Sequence, residues 1–180
     1  MKGIILLANG FEDVEMIATL DLLRRASIDV STIGVMNQES ILSQSKVIYK
    51  CDYLLKDINV DDYDFLIIPG GKAVFNDLDK PIVEQIVNSF VKRNKLIAAI
   101  CAAPSVLGKM HLLRNHQAVC YPGFEDQLYE AFVSKDRVMV SGNIVTSRGP
   151  GCTIEFALQL ATILKGEEVA KAVAEGMLVK

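Results

Sequence analysis

Three nearly continuous apolar runs, separated by segments of helical periodicity, constrain the fold of this chain more than any other feature. The runs lie at 2–8 (KGIILLA), 63–71 (YDFLIIPGG) and 96–100 (LIAAI), and each leads into a turn or into small residues. Strands of a parallel sheet have this composition because helices cover both faces of the sheet. The runs therefore predict an α/β fold with a mostly parallel central sheet and helices on both of its faces.

The segments between the runs supply the remaining predicted elements. Apolar residues spaced three and four apart predict helices, while β-branched or alternating stretches predict strands. The predicted helices are 14–26, 80–93, a segment after Pro104, 124–132, 152–165 and 167–177. The further predicted strands are 28–35, 117–121, 137–142 and 143–148, with a short hairpin formed by 39–42 and 46–49. Asp79 is the predicted N-cap of helix 80–93, and Gly166 is predicted to end helix 152–165.

Size and charge limit the domain count and the partners. The 180 residues are 51% hydrophobic and no linker rich in Pro, Gly or Ser divides them, so one domain over 1–180 is predicted. The net charge is −3 and no basic run exceeds two residues, which argues against nucleic acid or an anionic membrane as a partner. The first apolar run is too short for a signal peptide or a membrane span. We therefore expect a cytoplasmic protein.

The cysteine and histidine content makes a metal site or a bound cofactor unexpected. The four cysteines include no CxxC pair, and the chain has two histidines, His111 and His116. Zinc and dithiol-redox sites usually need closer spacing or more ligands. We expect reduced cysteines in the cytoplasm, and we expect both histidines to be surface or hydrogen-bonded polar residues.

Cys101 stands where a buried strand gives way to small residues and then to Pro104. A sharp strand-to-helix turn needs small neighbours, and it places the side chain near the positive end of a helix, which lowers the pKa of a thiol. The alternative is a buried and inert core cysteine. Local sequence leaves both interpretations open.

Four segments together resemble the ThiJ/PfpI superfamily, most closely its DJ-one (parkinsonism-associated) branch. They are 10–26 (GFEDVEMIATLDLLRRA), 64–71 (DFLIIPGG), 98–104 (AAICAAP) and 145–151 (VTSRGPG), and in order and spacing they cover nearly the whole chain. The resemblance implies a flavodoxin-like three-layer sandwich that is usually a homodimer. It also implies a reactive cysteine on a nucleophile elbow at Cys101.

The resemblance assigns the central site residues. Cys101 is implied to be the nucleophile or redox cysteine, and Glu15 the acid that hydrogen-bonds its sulfur. A carboxyl beside a thiolate is pushed towards its protonated form, so it can donate that bond. The alternative for Glu15 is an ordinary solvated acid in the first turn of a helix. Backbone N–H groups of Gly70, Gly71 and Ala102 are implied to form an oxyanion hole, although two glycines also suit a simple turn.

Residues at the border of the site are implied by the same resemblance. Tyr121, Arg148 and Pro150 are expected to line the pocket, with Arg148 either binding an anion or bracing its loop. Tyr121 stands where many relatives carry a histidine, and a tyrosine, with a pKa near 10, is a poor base at neutral pH. A protease triad is therefore not expected. Thiamine biosynthesis has no supporting motif either.

A dimer interface is implied near Arg24, Arg25 and Cys51. The alternative for the two arginines is ion pairing with Asp21 on the helix surface. The alternative for Cys51, as for Cys120 and Cys152, is an inert buried thiol.

Two functions are expected from these residues. In the first, Cys101 adds to a small aldehyde such as methylglyoxal, Glu15 moves a proton between carbons, and water releases a hydroxy acid. This is cofactor-independent glyoxalase or deglycase chemistry, and it is the interpretation we favour. In the second, the protein is a redox sensor or stress chaperone in which an oxidant converts Cys101 to a sulfinate. A scaffold with a vestigial thiol is the third possibility.

Overall fold

A seven-stranded sheet forms the centre of the computed structural model, which describes residues 1–179. Including two small two-stranded sheets, the strands are β1 (Lys2–Leu7), β2 (Asp29–Gly34), β3 (Ser40–Leu42), β4 (Ile48–Lys50), β5 (Tyr53–Leu54), β6 (Phe65–Ile68), β7 (Leu96–Ile100), β8 (Gln117–Ala118), β9 (Phe132–Val133), β10 (Val138–Ser141) and β11 (Ile144–Ser147). The large sheet has the order β10-β11-β7-β6-β1-β2-β5. Its pairs are parallel except β10 with β11.

Helices connect the strands and cover the sheet. They are α1 (Asp13–Arg25), α2 (Ala73–Asn76), α3 (Pro81–Lys92), α4 (Pro104–Lys109), α5 (Thr153–Lys165) and α6 (Glu167–Gly176). The chain passes from β1 through α1 to β2 in one direction along the sheet, and from β6 through α3 to β7 in the other. Right-handed crossovers in opposite directions put α1 and α3 on opposite faces. The predicted three-layer, flavodoxin-like α/β fold is confirmed.

The three apolar runs form the buried middle of the sheet. All residues of β6 are buried, as are Gly3–Leu7 of β1 and Ile97–Ile100 of β7. Burial on both faces explains why these strands carry no alternating pattern. Most other predicted elements are confirmed to within a few residues at each end, whereas β5 and α2 were not predicted.

The predicted N-cap of α3 is wrong. Lys80 occupies the cap position, no side chain caps the helix, and Pro81 begins its first turn. Proline suits the first turn because an N–H at this position would have no acceptor within the helix, so nothing is lost without it. Asp79 instead forms an ion pair with Lys109 at the end of α4. The acid therefore ties two helices together rather than starting one.

The predicted helix over 124–132 is also wrong. The structure has a single 3-10 turn at Glu125–Gln127 and then the short strand β9. Phe124 and Leu128 have helical spacing, but Phe124 is only partly buried and the two residues pack in different places. Phe124 stacks on Phe75, while Leu128 belongs to the core. Periodicity cannot distinguish these cases from a helix face.

The strand predicted to end at Tyr121 ends at Ala118 instead. Val119 donates its N–H to a side chain, the Thr146 hydroxyl on β11, at 3.0 Å. Tyr121 donates its N–H to the Cys101 carbonyl at 2.8 Å. The segment after β8 is thereby attached to the turn that carries Cys101.

Within the described residues, no helix combines the length and apolar character that a bilayer crossing needs.

Candidate active site

Three neighbouring strands bring the predicted site residues to one edge of the sheet. Cys101 directly follows β7, Gly70 and Gly71 follow β6, and α1 with Glu15 follows β1. Since β1, β6 and β7 are adjacent and parallel, their carboxyl ends lie side by side. Ligands of open α/β sheets bind at this edge.

The Cys101 backbone has an uncommon conformation. Its φ is 66°, in the left-handed region that costs a non-glycine residue about 1–3 kcal/mol. The surrounding chain holds it there, because its N–H donates to the Ser147 carbonyl at 2.9 Å and its carbonyl accepts from the Tyr121 N–H. The residue is half-buried, unlike the fully buried Cys51, Cys120 and Cys152. A sharp turn thus leaves one thiol partly accessible.

Glu15 is a buried acid, so its alternative interpretation as a solvated surface residue is wrong. Its exposed fraction is 1%. One carboxyl oxygen, Oε2, accepts the Gly70 N–H at 2.7 Å. The other, Oε1, is buried and has no hydrogen-bond partner among the described residues. Glu12, just before α1, caps the helix by accepting the N–H of Glu15 at 2.8 Å.

Gly70 lets the carboxyl and the thiol approach each other. A Cβ atom at this position would lie 2.6 Å from Cys101 Cβ and 2.8 Å from Glu15 Oε2. It would also lie 3.1 Å from Cys101 Sγ. Any side chain at position 70 would therefore displace one of the two groups. The glycine is needed for the space it leaves.

The carboxyl and the thiol are electrostatically coupled. Burial raises the pKa of Glu15 to about 7, although hydrogen bonds with the Gly70 N–H and the Cys101 thiol lower it in part. Burial also raises the pKa of Cys101 to about 12, and the negative charge of Glu15 adds to the rise. The predicted lowering of the thiol pKa is wrong in its net direction, because burial and the charge of Glu15 outweigh the opposing effect of the Ala102 and Gly71 N–H groups. Above pH 7 the pair keeps one proton, which either group can carry.

Two backbone N–H groups act on the sulfur. Those of Ala102 and Gly71 lower the pKa of Cys101 against the effect of burial. The Gly70 N–H, predicted as a third donor, is occupied by Glu15. Gly71 has a φ of 87°, and a Cβ there would lie 2.4 Å from the Gly10 carbonyl oxygen. Glycine is required here because a side chain would strain this backbone conformation and collide with the Gly10 carbonyl.

A cleft of about 250 Å³ opens next to the sulfur. Its lining includes Tyr121 and Pro150, which were predicted there, but not Arg148. Arg148 instead donates a weak hydrogen bond to the Lys135 carbonyl at 3.4 Å, which agrees with a loop-bracing role. The lining residues that sequence analysis missed are Glu12, Gln44, Lys72, Phe75 and Phe124. Glu12 lies within the recognised segment 10–26 but was assigned no role in the site, and the other four lie outside the recognised segments.

The predicted interface residues lie outside the cleft lining. Arg25 pairs with Asp21 at 2.8 Å, in agreement with the surface interpretation. Arg24 pairs with Asp52 at 2.9 Å and so links α1 to the sheet edge. Cys51 is buried, and burial raises its pKa. A role of these residues in a dimer stays a prediction.

Neither histidine lines the cleft. His116 Nδ1 lies 3.0 Å from the Ser141 hydroxyl oxygen, and His111 Nδ1 lies 3.3 Å from a Glu130 carboxyl oxygen. Both therefore have polar partners away from Cys101.

Comparisons with known proteins identify relatives along the whole chain. Residues 1–163 match the DJ-1/PfpI family. Protein dj-1beta of Drosophila melanogaster is 36% identical over 99% of this chain and 97% of its own length. The crystal structure of Drosophila melanogaster DJ-1beta has a TM-score of 0.93 and covers 99% of this chain and 98% of that chain.

Two further relatives have informative descriptions. The glutathione-independent glyoxalase DJR-1.2 of Caenorhabditis elegans is 32% identical over 87% of this chain and 84% of its own length. An oxidized DJ-1 of Toxoplasma gondii has a TM-score of 0.91 at 36% identity and covers 98% of this chain and 97% of that chain. The family match and these full-length similarities show that the chain belongs to the DJ-1/PfpI family.

Proposed function

We propose that this protein is a cysteine-dependent stress-response enzyme that converts small 2-oxoaldehydes, such as methylglyoxal, into hydroxy acids without a cofactor. The observation that carries the proposal is the coupled pair of Glu15 and Cys101 beside an open cleft. A glyoxalase among the relatives supports the same chemistry.

The first step forms a carbon–sulfur bond. Glu15 accepts the thiol proton and the Cys101 sulfur attacks the aldehyde carbon. Negative charge develops on the aldehyde oxygen, where the N–H groups of Gly71 and Ala102 can stabilise it. The protonated Glu15 then gives its proton to this oxygen, which yields a hemithioacetal and restores the Glu15 carboxylate.

The second step moves a proton between two carbons. The Glu15 carboxylate removes a proton from the former aldehyde carbon, and an enediolate forms with its charge on the neighbouring oxygen. That oxygen takes the hydroxyl proton of the former aldehyde carbon, and Glu15 returns its own proton to the neighbouring carbon, which leaves a thioester to Cys101. Water attacks the thioester, the carbon–sulfur bond breaks and the thiol regains its proton. The balance is one aldehyde and one water for one 2-hydroxy acid, with no external oxidant.

Turnover of methylglyoxal to lactate tests the proposal. We expect no turnover in Cys101→Ala, because the nucleophile is absent. We expect Glu15→Gln to lower kcat by about 10²–10⁴, the usual contribution of general acid–base catalysis. Cys51→Ala, whose thiol lies outside the cleft lining, is the matched control and should keep turnover. Persistent turnover in Cys101→Ala would refute the mechanism.

A redox-sensing role is the second candidate. It is favoured by the oxidized relative and by Oε1 of Glu15, which has no hydrogen-bond partner among residues 1–179. When protonated, this oxygen could donate to an oxygen of oxidised Cys101. Two equivalents of peroxide would convert the thiol to a sulfinate and release two waters. Mass spectrometry after mild peroxide treatment should show two added oxygens on Cys101 before the buried cysteines react. Equal oxidation of all four cysteines would reject this role.

A further inference from the structure

Three aromatic side chains line the cleft beside Cys101. Phe75 and Phe124 are stacked, with ring centroids 5.4 Å apart and planes 26° from parallel. Tyr121 is tilted against Phe124 at 6.5 Å and 60°. Phe75 is nevertheless 54% exposed and Tyr121 is 46% exposed, so much of their ring surface is accessible to solvent. We call these three residues the aromatic wall.

The backbone ties the aromatic wall to the reacting sulfur. Tyr121 donates its N–H to the Cys101 carbonyl at 2.8 Å, and Phe124 donates its N–H to the Tyr121 carbonyl at 3.2 Å. Phe75 lies on α2, which begins two residues after Gly71, whose N–H lowers the pKa of Cys101. The wall thus extends from both segments that hold the reacting centre.

The size and charge of the cleft favour a small, neutral, planar group. Its volume of about 250 Å³ falls just below the roughly 300–1,000 Å³ of sites that hold drug-sized ligands. Glu12 and Lys72 are the charged residues in its lining, and their charges oppose each other. The lining therefore provides ring surfaces for stacking without a net charge that would select an ionic group.

We infer that the cleft prefers 2-oxoaldehydes that carry an aromatic ring, the arylglyoxals, over small alkyl ones. The inference rests on the proposed function, because it uses the same nucleophile. The aldehyde carbon would bond to Cys101 Sγ while the aryl ring stacks against Phe75 and Tyr121. The reaction is balanced as before: an arylglyoxal and water give a 2-hydroxy-2-arylacetic acid.

The first test compares phenylglyoxal with methylglyoxal. The quantity measured is the kcat/KM for phenylglyoxal divided by the kcat/KM for methylglyoxal. When this ratio is compared between variants, the intrinsic reactivity of each aldehyde cancels. We expect Phe75→Ala to lower the ratio about tenfold, mainly through the KM for phenylglyoxal; tenfold corresponds to about 1.4 kcal/mol. Phe75→Leu, which keeps apolar surface but lacks a ring, should lower it less.

Phe132→Ala is the matched control. Phe132 is 63% exposed on β9 and does not line the cleft, so its removal should leave the ratio unchanged. An unchanged ratio in Phe75→Ala would overturn the inference. Methylglyoxal turnover by the wild type would still support the proposed function in that case.

A second test does not depend on turnover. Acetophenone has the aryl ketone but no aldehyde, so it should slow iodoacetamide alkylation of Cys101 in the wild type by several-fold. Acetone should not, and the protection should disappear in Phe75→Ala. If neither aldehyde is turned over, the proposed function fails, and this protection alone then supports an aromatic binding site. Absence of protection by acetophenone contradicts the site.

Discussion

Glu15 and Cys101 are each poorly suited to reaction at neutral pH when taken alone. Burial raises the pKa of the thiol to about 12, so an isolated Cys101 would remain protonated. Burial also raises the pKa of Glu15 to about 7, which leaves a carboxylate able to accept a proton near neutrality. When the pair has lost one proton, transfer of the remaining proton from sulfur to oxygen gives a thiolate without any change in net charge. The proximity that Gly70 permits makes this transfer possible.

The rate of Cys101 alkylation should therefore follow the first ionisation of the pair. In the wild type we expect the rate to rise with pH, with a midpoint near 7. The sign follows from the raised pKa of Glu15: below it both groups are protonated, and above it the pair can present a thiolate. In Glu15→Gln no carboxylate accepts the proton while burial still raises the pKa of the thiol. Its midpoint should shift upwards and its rate at pH 7 should fall by roughly tenfold or more.

Iodoacetamide labelling followed by mass spectrometry across a pH series measures both midpoints. Cys101→Ala identifies any signal from the three buried cysteines. Identical midpoints in the wild type and Glu15→Gln would show that the carboxyl does not control the thiol.

Sequence could identify these two residues but not their electrostatics. Cys101 was recognisable from its place between a buried strand and small residues, and Glu15 from the resemblance of its segment. The direction of the thiol pKa was predicted wrongly, since the helix start was visible in the sequence and the extent of burial was not. The buried Glu15 carboxyl accepts the N–H of Gly70, which comes 55 residues later in the chain. A contact between distant segments cannot be read from either segment alone.

At the scale of elements, α1 positions Glu15 and packs against α5. One buried side chain in this helix lacks a hydrogen-bond partner for its hydroxyl group among the described residues. Thr19 is 0% exposed, and its hydroxyl has no hydrogen-bond partner among residues 1–179. A buried hydroxyl without a partner costs about 1–3 kcal/mol. By contrast, the hydroxyl of Thr162 in α5 donates to the Leu158 carbonyl at 2.9 Å.

Thr19→Val should therefore stabilise the protein. Valine keeps the branched shape and removes the unsatisfied hydroxyl, so we expect the free energy of unfolding to rise by about 1 kcal/mol. For a chain of this size, that corresponds to a Tm higher by about 2–4 °C. Thr162→Val is the matched control and should give no stabilisation, because it removes a satisfied hydroxyl. Thermal unfolding of both variants measures the difference, and a lower Tm for Thr19→Val would contradict the expectation.

Elements with one dominant environment were predictable, and elements shaped by several contacts were not. The central strands are buried on both faces and α3 on one face. The continuous apolar runs of the strands and the apolar stripe of α3 show this in the sequence. The segment after β8 is different, since Phe124 faces the cleft while Leu128 enters the core. Its apolar residues have helical spacing without a common helix face. The aromatic wall was missed for the same reason.

At the scale of the whole molecule, one face carries apolar side chains that the single chain does not cover. Asp13 at the start of α1 accepts a hydrogen bond from the Ser45 hydroxyl, which joins the helix to the hairpin of β3 and β4. The exposed apolar residues of these two elements are Val14 and Ile17 on α1, Leu42 on β3, Ile48 on β4 and Val47 just before it. Ile48 is 70% exposed. Exposed apolar side chains on two joined elements are the kind of surface expected at an interaction site.

We expect this face to form a homodimer interface. Members of the DJ-1/PfpI family are commonly dimeric, and the two elements also border the residues predicted there: Arg24 and Arg25 end α1, and Cys51 follows β4. Sedimentation velocity should give a mass near twice the 19.8 kDa of the chain. Ile48→Asp should shift the protein towards a monomer, because a charge buried in an interface is costly.

Phe132→Asp, on β9, places the same charge on a different exposed apolar residue and should leave the dimer intact. A dimer that survives Ile48→Asp but dissociates in Phe132→Asp would assign the interface to the other face. A monomer in the wild type would show that the hairpin and α1 serve another purpose. Since Ile48 does not line the Cys101 cleft, methylglyoxal turnover by Ile48→Asp would also show whether the site is complete within one chain.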